Sequence, residues 1–176
     1  MTSELQQAKQ PVSAVLAGPY GHPFHPILVT VPIGAWVSGL VFDLASQWVP
    51  DPAFLARGSV WLTGIGVVGA LAAAMIGFLD LFTIPTGTPA FRTGLVHMGL
   101  NLAVTAAYVA NFFWRLAGYG RAEAVGLGPL LLSAASLIVL AVAGHLGGKL
   151  AFRYGVRVAD EATQATGFRP PHHEEN

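Results

Sequence analysis

Apolar residues in this chain run in long blocks rather than in the narrow stripe of a water-facing helix. Four blocks, roughly residues 27–48, 59–84, 93–117 and 127–152, are each long and apolar enough to cross a bilayer core of about 30 Å. The fourth contains "GPLLLSAASLIVLAVAGHLGG", which carries no formal charge. Between the blocks stand "VPDPAFLARG", "PTGTPAFR" and "RLAGYGRAEAVG", short and rich in turn formers. Short connections make sequential neighbours antiparallel, so the pattern predicts an all-α, up-down bundle of four transmembrane helices. Residues 1–24 read as a polar N-terminal arm and 25–156 as the membrane domain. Residues 157–176, "RVADEATQATGFRPPHHEEN", read as a disordered tail.

Composition agrees with a membrane chain: of 176 residues 53% are hydrophobic and 10% charged, against about a quarter charged in soluble proteins. The chain has no cysteine, which excludes disulfides, cysteine-held iron–sulfur clusters and covalently attached c-type haem. Net charge is zero without any basic run, so nucleic acid is not an expected partner. The first 20 residues lack the basic start and apolar core of a signal peptide. Lys9, Arg92, Lys149, Arg153, Arg157 and Arg169 fall at one end of the bundle, and Arg57, Arg115 and Arg121 at the other. The bias predicts a multi-pass protein of the cytoplasmic (inner) membrane with both termini in the cytoplasm.

The first block opens unusually, as "GHPFHPILVTVPIG". Pro23 and Pro26 hold His22 and His25 out of helical geometry, while Pro26 suits a first helical turn; the helix is expected to start there with His25 as its N-cap. Pro32 lies inside the helix and leaves the Leu28 carbonyl without its donor, which lipid cannot replace. Gly69, Ala73 and Gly77 on the second helix, and Ala134, Ala141, His145 and Gly148 on the fourth, form stripes that let backbones approach. Asp80 and His145 lie on those stripes and are expected to point into the bundle.

Heights follow from counting outward from the middle of each connection, near Ala53, Thr88 and Ala122. His25, Asp80, His97 and His145 then fall in one layer, one from each helix, at the cytoplasmic end. The third helix adds a polar stripe of His97, Asn101, Thr105, Tyr108, Asn111 and Arg115. Asn101, one turn from His97, is placed to bond an imidazole. Arg115 reaches the level of Asp43 and reads as its buried ion-pair partner.

"HPILVTVPIG", "GFLDLFTIP", "HMGLN" and "GHLGGKLAFRYGVRV", in that order across residues 21–158, resemble the family catalogued as domain of unknown function 2231, of bacterial four-helix membrane proteins. The resemblance maps the family's histidines to His25 and His97, its acid to Asp80 and its amide to Asn101; His145 departs from the pattern. Some members are fused to a Rieske iron–sulfur domain, which implies an electron-transfer context.

Three functions fit these residues. In the first, a b-type haem is held axially by His97 and His145 on adjacent antiparallel helices, with His25 and Asn101 as further candidate haem-binding residues and Arg92, Lys149 and Arg153 near its propionates; it would exchange electrons with a quinone or a redox partner protein. In the second, His25, Asp80, His97 and His145 bind a divalent metal ion or relay protons. In the third, the same groups are structural, and the chain is a scaffold, a homo-oligomer or a subunit of a larger membrane complex. No nucleophile arrangement for hydrolysis is present, and the His172–His173 pair has no assigned role.

Overall fold

In a computed structural model, which describes residues 2–121 and 123–168, every regular element is helical. Four helices have the length and apolarity of membrane spans: His25–Ala45, Ala53–Leu81, Pro89–Leu116 and Leu127–Arg153. They pack in the cyclic order first, second, third, fourth, with the fourth beside the first, so the first and third face each other across the diagonal. Ala122, Arg169 and the His172–His173 pair lie outside the described residues.

The first three spans begin earlier than apolarity alone suggests, because caps and prolines set helix starts. The second starts at Ala53, six positions before the expected Ser59, with Pro52 at its N-cap and the Asp51 carboxylate accepting from Ala53 N–H at 3.3 Å. The third starts at Pro89, where Thr88 Oγ1 accepts from Phe91 N–H at 3.1 Å. His25 is the first helical residue rather than the cap; Phe24 holds the N-cap position. The first span is interrupted at Val29, between His25–Leu28 and Thr30–Ala45, where Pro32 has no N–H to give the Leu28 carbonyl. The fourth ends in a π-helical turn, Lys149–Arg153.

The interior is built from small and polar residues, and bulky side chains face outward. Ala35, Ala70, Ala73, Ala143, Ser59, Ser133 and Ser136 are buried, whereas Ile33, Trp61, Val68, Met75, Phe113 and Ile138 are exposed. Lipid is as apolar as leucine, so large side chains gain little by turning inward; close backbone contact and hydrogen bonds between helices decide the packing. Trp36 and Tyr108 stack at the centre with ring centroids 4.0 Å apart and planes 6° from parallel. Trp36 fits because position 66 is glycine: a Cβ there would sit 2.2 Å from Trp36 Nε1.

The N-terminal arm and the segment after the fourth span meet at one end of the bundle. The arm forms helices Thr2–Lys9 and Ala14–Ala17. The segment after the fourth span, expected to be disordered from residue 157, folds back onto it. Arg157 N–H donates to Ala8 O at 2.9 Å, Lys9 Nζ to Val158 O at 3.2 Å, and Asp160 N–H to Tyr20 Oη at 2.7 Å. A five-residue helix, Glu161–Ala165, follows. The expectation missed this return because a segment polar in composition is here held by backbone hydrogen bonds, which composition does not report.

Candidate functional site

Two of the four groups expected in one layer come together. His25 and His97, on diagonal spans, have ring centroids 6.3 Å apart and planes 79° from parallel. Each ring is fixed by the span beside it. His25 Nδ1 donates to Ala73 O at 2.9 Å, and His97 Nδ1 donates to Ala143 O at 2.8 Å. A carbonyl only accepts, so both imidazoles carry a proton on Nδ1, and in the neutral ring Nε2 keeps a free lone pair. One helical turn beyond each carbonyl stands a glycine against the ring. A Cβ on Gly77 would lie 2.9 Å from His25 Cε1, and one on Gly147 would lie 3.0 Å from His97 Cε1. The alanine supplies the acceptor and the glycine supplies the room.

Asn101 is where the sequence put it, one turn from His97. Its Nδ2 donates to His97 O at 2.8 Å and also stands 3.4 Å from His97 Nε2. With Nδ1 bonded elsewhere, Nε2 is the ring atom able to accept from that amide.

Asp80 and His145 are placed differently from the expectation. Asp80 is buried, but its partner is Arg157, Nε to Oδ1 at 2.8 Å, a charge contact without good hydrogen-bond alignment. It bonds no histidine. Arg157 Nη2 also donates to Ala17 O at 2.9 Å and Gly18 O at 2.8 Å. Arg157 holds φ at 60°, the left-handed region that side-chain-bearing residues seldom adopt, and these contacts keep it there. Gly18, at φ 86°, admits the arrangement: a Cβ there would meet His22 O at 2.3 Å. His145 faces out of the bundle, exposed beside a shallow groove lined with Gly148, Lys149, Phe152 and Arg153. The stripe containing His145 was judged from its small residues. Ala143 and Gly147, the residues that touch His97, lie on another face of the same span. Among the described residues no three histidine or carboxylate groups form a metal-binding cluster.

The outer half of the bundle holds the ion pair expected from the sequence, inside a larger network. Arg115 Nη1 and Nη2 grip both oxygens of Asp43, at 2.6 and 2.7 Å. Arg115 Nε donates to Asn111 Oδ1 at 2.9 Å, and Nη2 also reaches Pro129 O and Ser133 Oγ. Ser59 Oγ donates to Asp43. Asn111 belongs to the polar stripe of the third helix, whereas Ser59 and Ser133 have no pattern along the chain to mark them.

The family model described as "Predicted membrane protein (DUF2231)" matches residues 21–160. The chain belongs to the DUF2231 family. No curated protein and no solved structure matches it. The matched DUF2231 region runs past the last span to include Arg157 and Asp160. The segment that closes over Asp80 is therefore part of the family's unit rather than an appended tail.

Proposed function

We propose that this membrane protein is a redox-linked subunit of the bacterial inner membrane, holding one metal centre, haem b, between His25 and His97. The observation that carries the reading is the state of the two imidazoles. Each has its Nδ1–H bonded to a backbone carbonyl, the outer-shell bond that orients metal-ligating histidines and raises their basicity. The two rings stand 6.3 Å apart, centroid to centroid, and His25 and His97 are the residues that would hold the group. A bare divalent ion held by protein alone would need a third donor near the pair, which Asp80 and His145 do not provide. The pair supporting this reading is thus His25 with His97, in place of His97 with His145.

Bound haem would carry one electron at a time, and its partner is a quinone in the bilayer or a redox protein at its face. Lys9, Arg92, Lys149 and Arg153 stand at the end of the bundle where the N-terminal arm meets the segment after the fourth span, which favours that end as the cytoplasmic one.

The test is an absorption spectrum of detergent-purified protein before and after dithionite, from a host supplied with haem precursor. The expected result is a Soret band that sharpens and shifts on reduction, absent from His97→Ala and His25→Ala protein that still purifies as folded. A colourless wild-type protein that also fails to take up added haemin overturns the haem assignment. Elemental analysis of the same sample then tells a bare ion from a metal-free scaffold.

A further inference from the structure

We infer that the chain is two tandem copies of one helical hairpin, closed face to face about a twofold axis along the membrane normal. A group held at the centre would then take one equivalent imidazole from each copy. The inference rests on the pairs that meet on the diagonal. His25 faces His97, Trp36 stacks on Tyr108, and Asp43 is gripped by Arg115. Each of these pairs is separated by 72 positions. Parallel spans alone keep a constant offset between facing residues; what a twofold axis adds is that each member of a pair makes the same kind of contact with its own neighbouring span.

The second helix of each hairpin repeats the relation at an offset of 70. His25 and His97 bond the carbonyls of Ala73 and Ala143 and rest on Gly77 and Gly147. Trp36 Nε1 donates to Thr63 O at 3.3 Å, and Tyr108 Oη donates to Ser133 O at 3.2 Å. Asp43 accepts from Ser59, and Arg115 donates to the carbonyl of Pro129. In every case the two partners are 70 positions apart. Both hairpins enter the membrane from the same side, so the copies are parallel repeats. Along residues 25–46 and 97–118 the copies share only His25/His97, Leu28/Leu100, Ala35/Ala107, Val37/Val109, Leu44/Leu116 and Ala45/Ala117.

The copies have diverged in a complementary way. Two first hairpins paired together would set Asp43 against Asp43, and two second hairpins Arg115 against Arg115, both unfavourable inside a bilayer. One hairpin of each kind gives an ion pair.

The decisive experiment reverses the axis in the full-length protein. Asp43→Arg and Arg115→Asp are made singly and together, and thermal midpoints and gel-filtration profiles are measured in detergent. Each single variant sets like charges together and is expected to lower the midpoint by about 10 °C or more. The double variant is expected to recover most of that loss as a monomer. A guanidinium introduced at position 43 would find the Ser59 carbonyl and hydroxyl and Thr63 Oγ1 where Arg115 now finds Pro129 O and Ser133 Oγ. An ion pair outside any repeat has no such acceptors waiting on the second span. A double variant no more stable than the singles overturns the inference.

A second exchange keeps the test open should the charged variants fail to fold. Trp36→Tyr with Tyr108→Trp is expected to fold well only when Ser136→Gly is added, because Ser136 stands where the first copy has Gly66. Equal stability with and without Ser136→Gly counts against the repeat. The dependence on the haem reading is confined to the bound group. With haemin as probe, His25→Ala and His97→Ala should give the same residual spectrum, and one variant that binds like wild type overturns the equivalence. Reversal that restores folding in a protein with no affinity for haemin upholds the repeat and removes only the haem.

Discussion

Arg115 and Asp43 offer the sharpest test of how the bundle is held. The guanidinium binds both carboxylate oxygens and also reaches Asn111, Ser59, Ser133 and the Pro129 carbonyl, so all four spans meet at one side chain. Asp43→Leu would leave that guanidinium buried without its counter-charge. Breaking a buried pair from one side costs about 3–5 kcal/mol. Arg115→Met is expected to cost less than Asp43→Leu, because a stranded carboxylate can take up a proton whereas a guanidinium stays charged. The double variant Asp43→Leu/Arg115→Met removes both charges and leaves only neutral polar groups, each costing about 1–3 kcal/mol at most. It should therefore be more stable than Asp43→Leu alone. The assay is unfolding in mixed micelles, followed by the fluorescence of Trp36, which lies in the packed layer next to the network. Near-wild-type stability of Asp43→Leu, within about 1 kcal/mol, would refute the claim that this network closes the outer half of the bundle.

Three further outcomes follow from the structure. Gly66→Ala places a methyl 2.2 Å from the Trp36 indole nitrogen; it should cost about 1–3 kcal/mol by overpacking and broaden the indole NMR signal. Arg157→Ala removes the contacts to Asp80, Ala17 and Gly18, so limited proteolysis should cut beyond residue 153 several-fold faster while the spans stay resistant. The Asp160 carboxyl, outside the spans, is held below its ordinary value by hydrogen bonding from Thr163, first from the backbone N–H. A lowered carboxyl favours the folded cap above the unfolded value near 4 and loses that contribution as pH falls through the folded value. Hydrogen exchange at Thr163 and Gln164 should accordingly be slow at neutral pH and speed up, relative to the intrinsic rate, in acid. Exchange that tracks the intrinsic rate throughout would rule the cap out.

The number of spans and their up-down order were legible in the sequence, because apolar length and short loops constrain those features directly. So was the Asp43–Arg115 pair: two opposite charges at one depth of a bilayer have few alternatives to each other. Helix starts were less legible, since Pro52, Thr88 and Phe24 act through local geometry rather than hydropathy. Which residues of the histidine layer meet was decided only by the tertiary structure. Counting along hairpins gives height but not rotation. His145 and Ala143 stand at similar height on the fourth span, yet Ala143 faces His97 and His145 faces outward. Asp80 was read for its level, while its partner Arg157 arrives from a segment whose polarity suggested that it bound nothing. The 72-position spacing of His25/His97, Trp36/Tyr108 and Asp43/Arg115 was present in the sequence throughout. It became visible only when the fold showed those residues touching, because so few of the aligned residues are identical. A membrane bundle can change most of its lipid-facing residues freely, whereas its central contacts are fixed by sterics and by buried polar groups that must be satisfied, so their positions recur even where, as at Trp36/Tyr108 and Asp43/Arg115, the residue types differ.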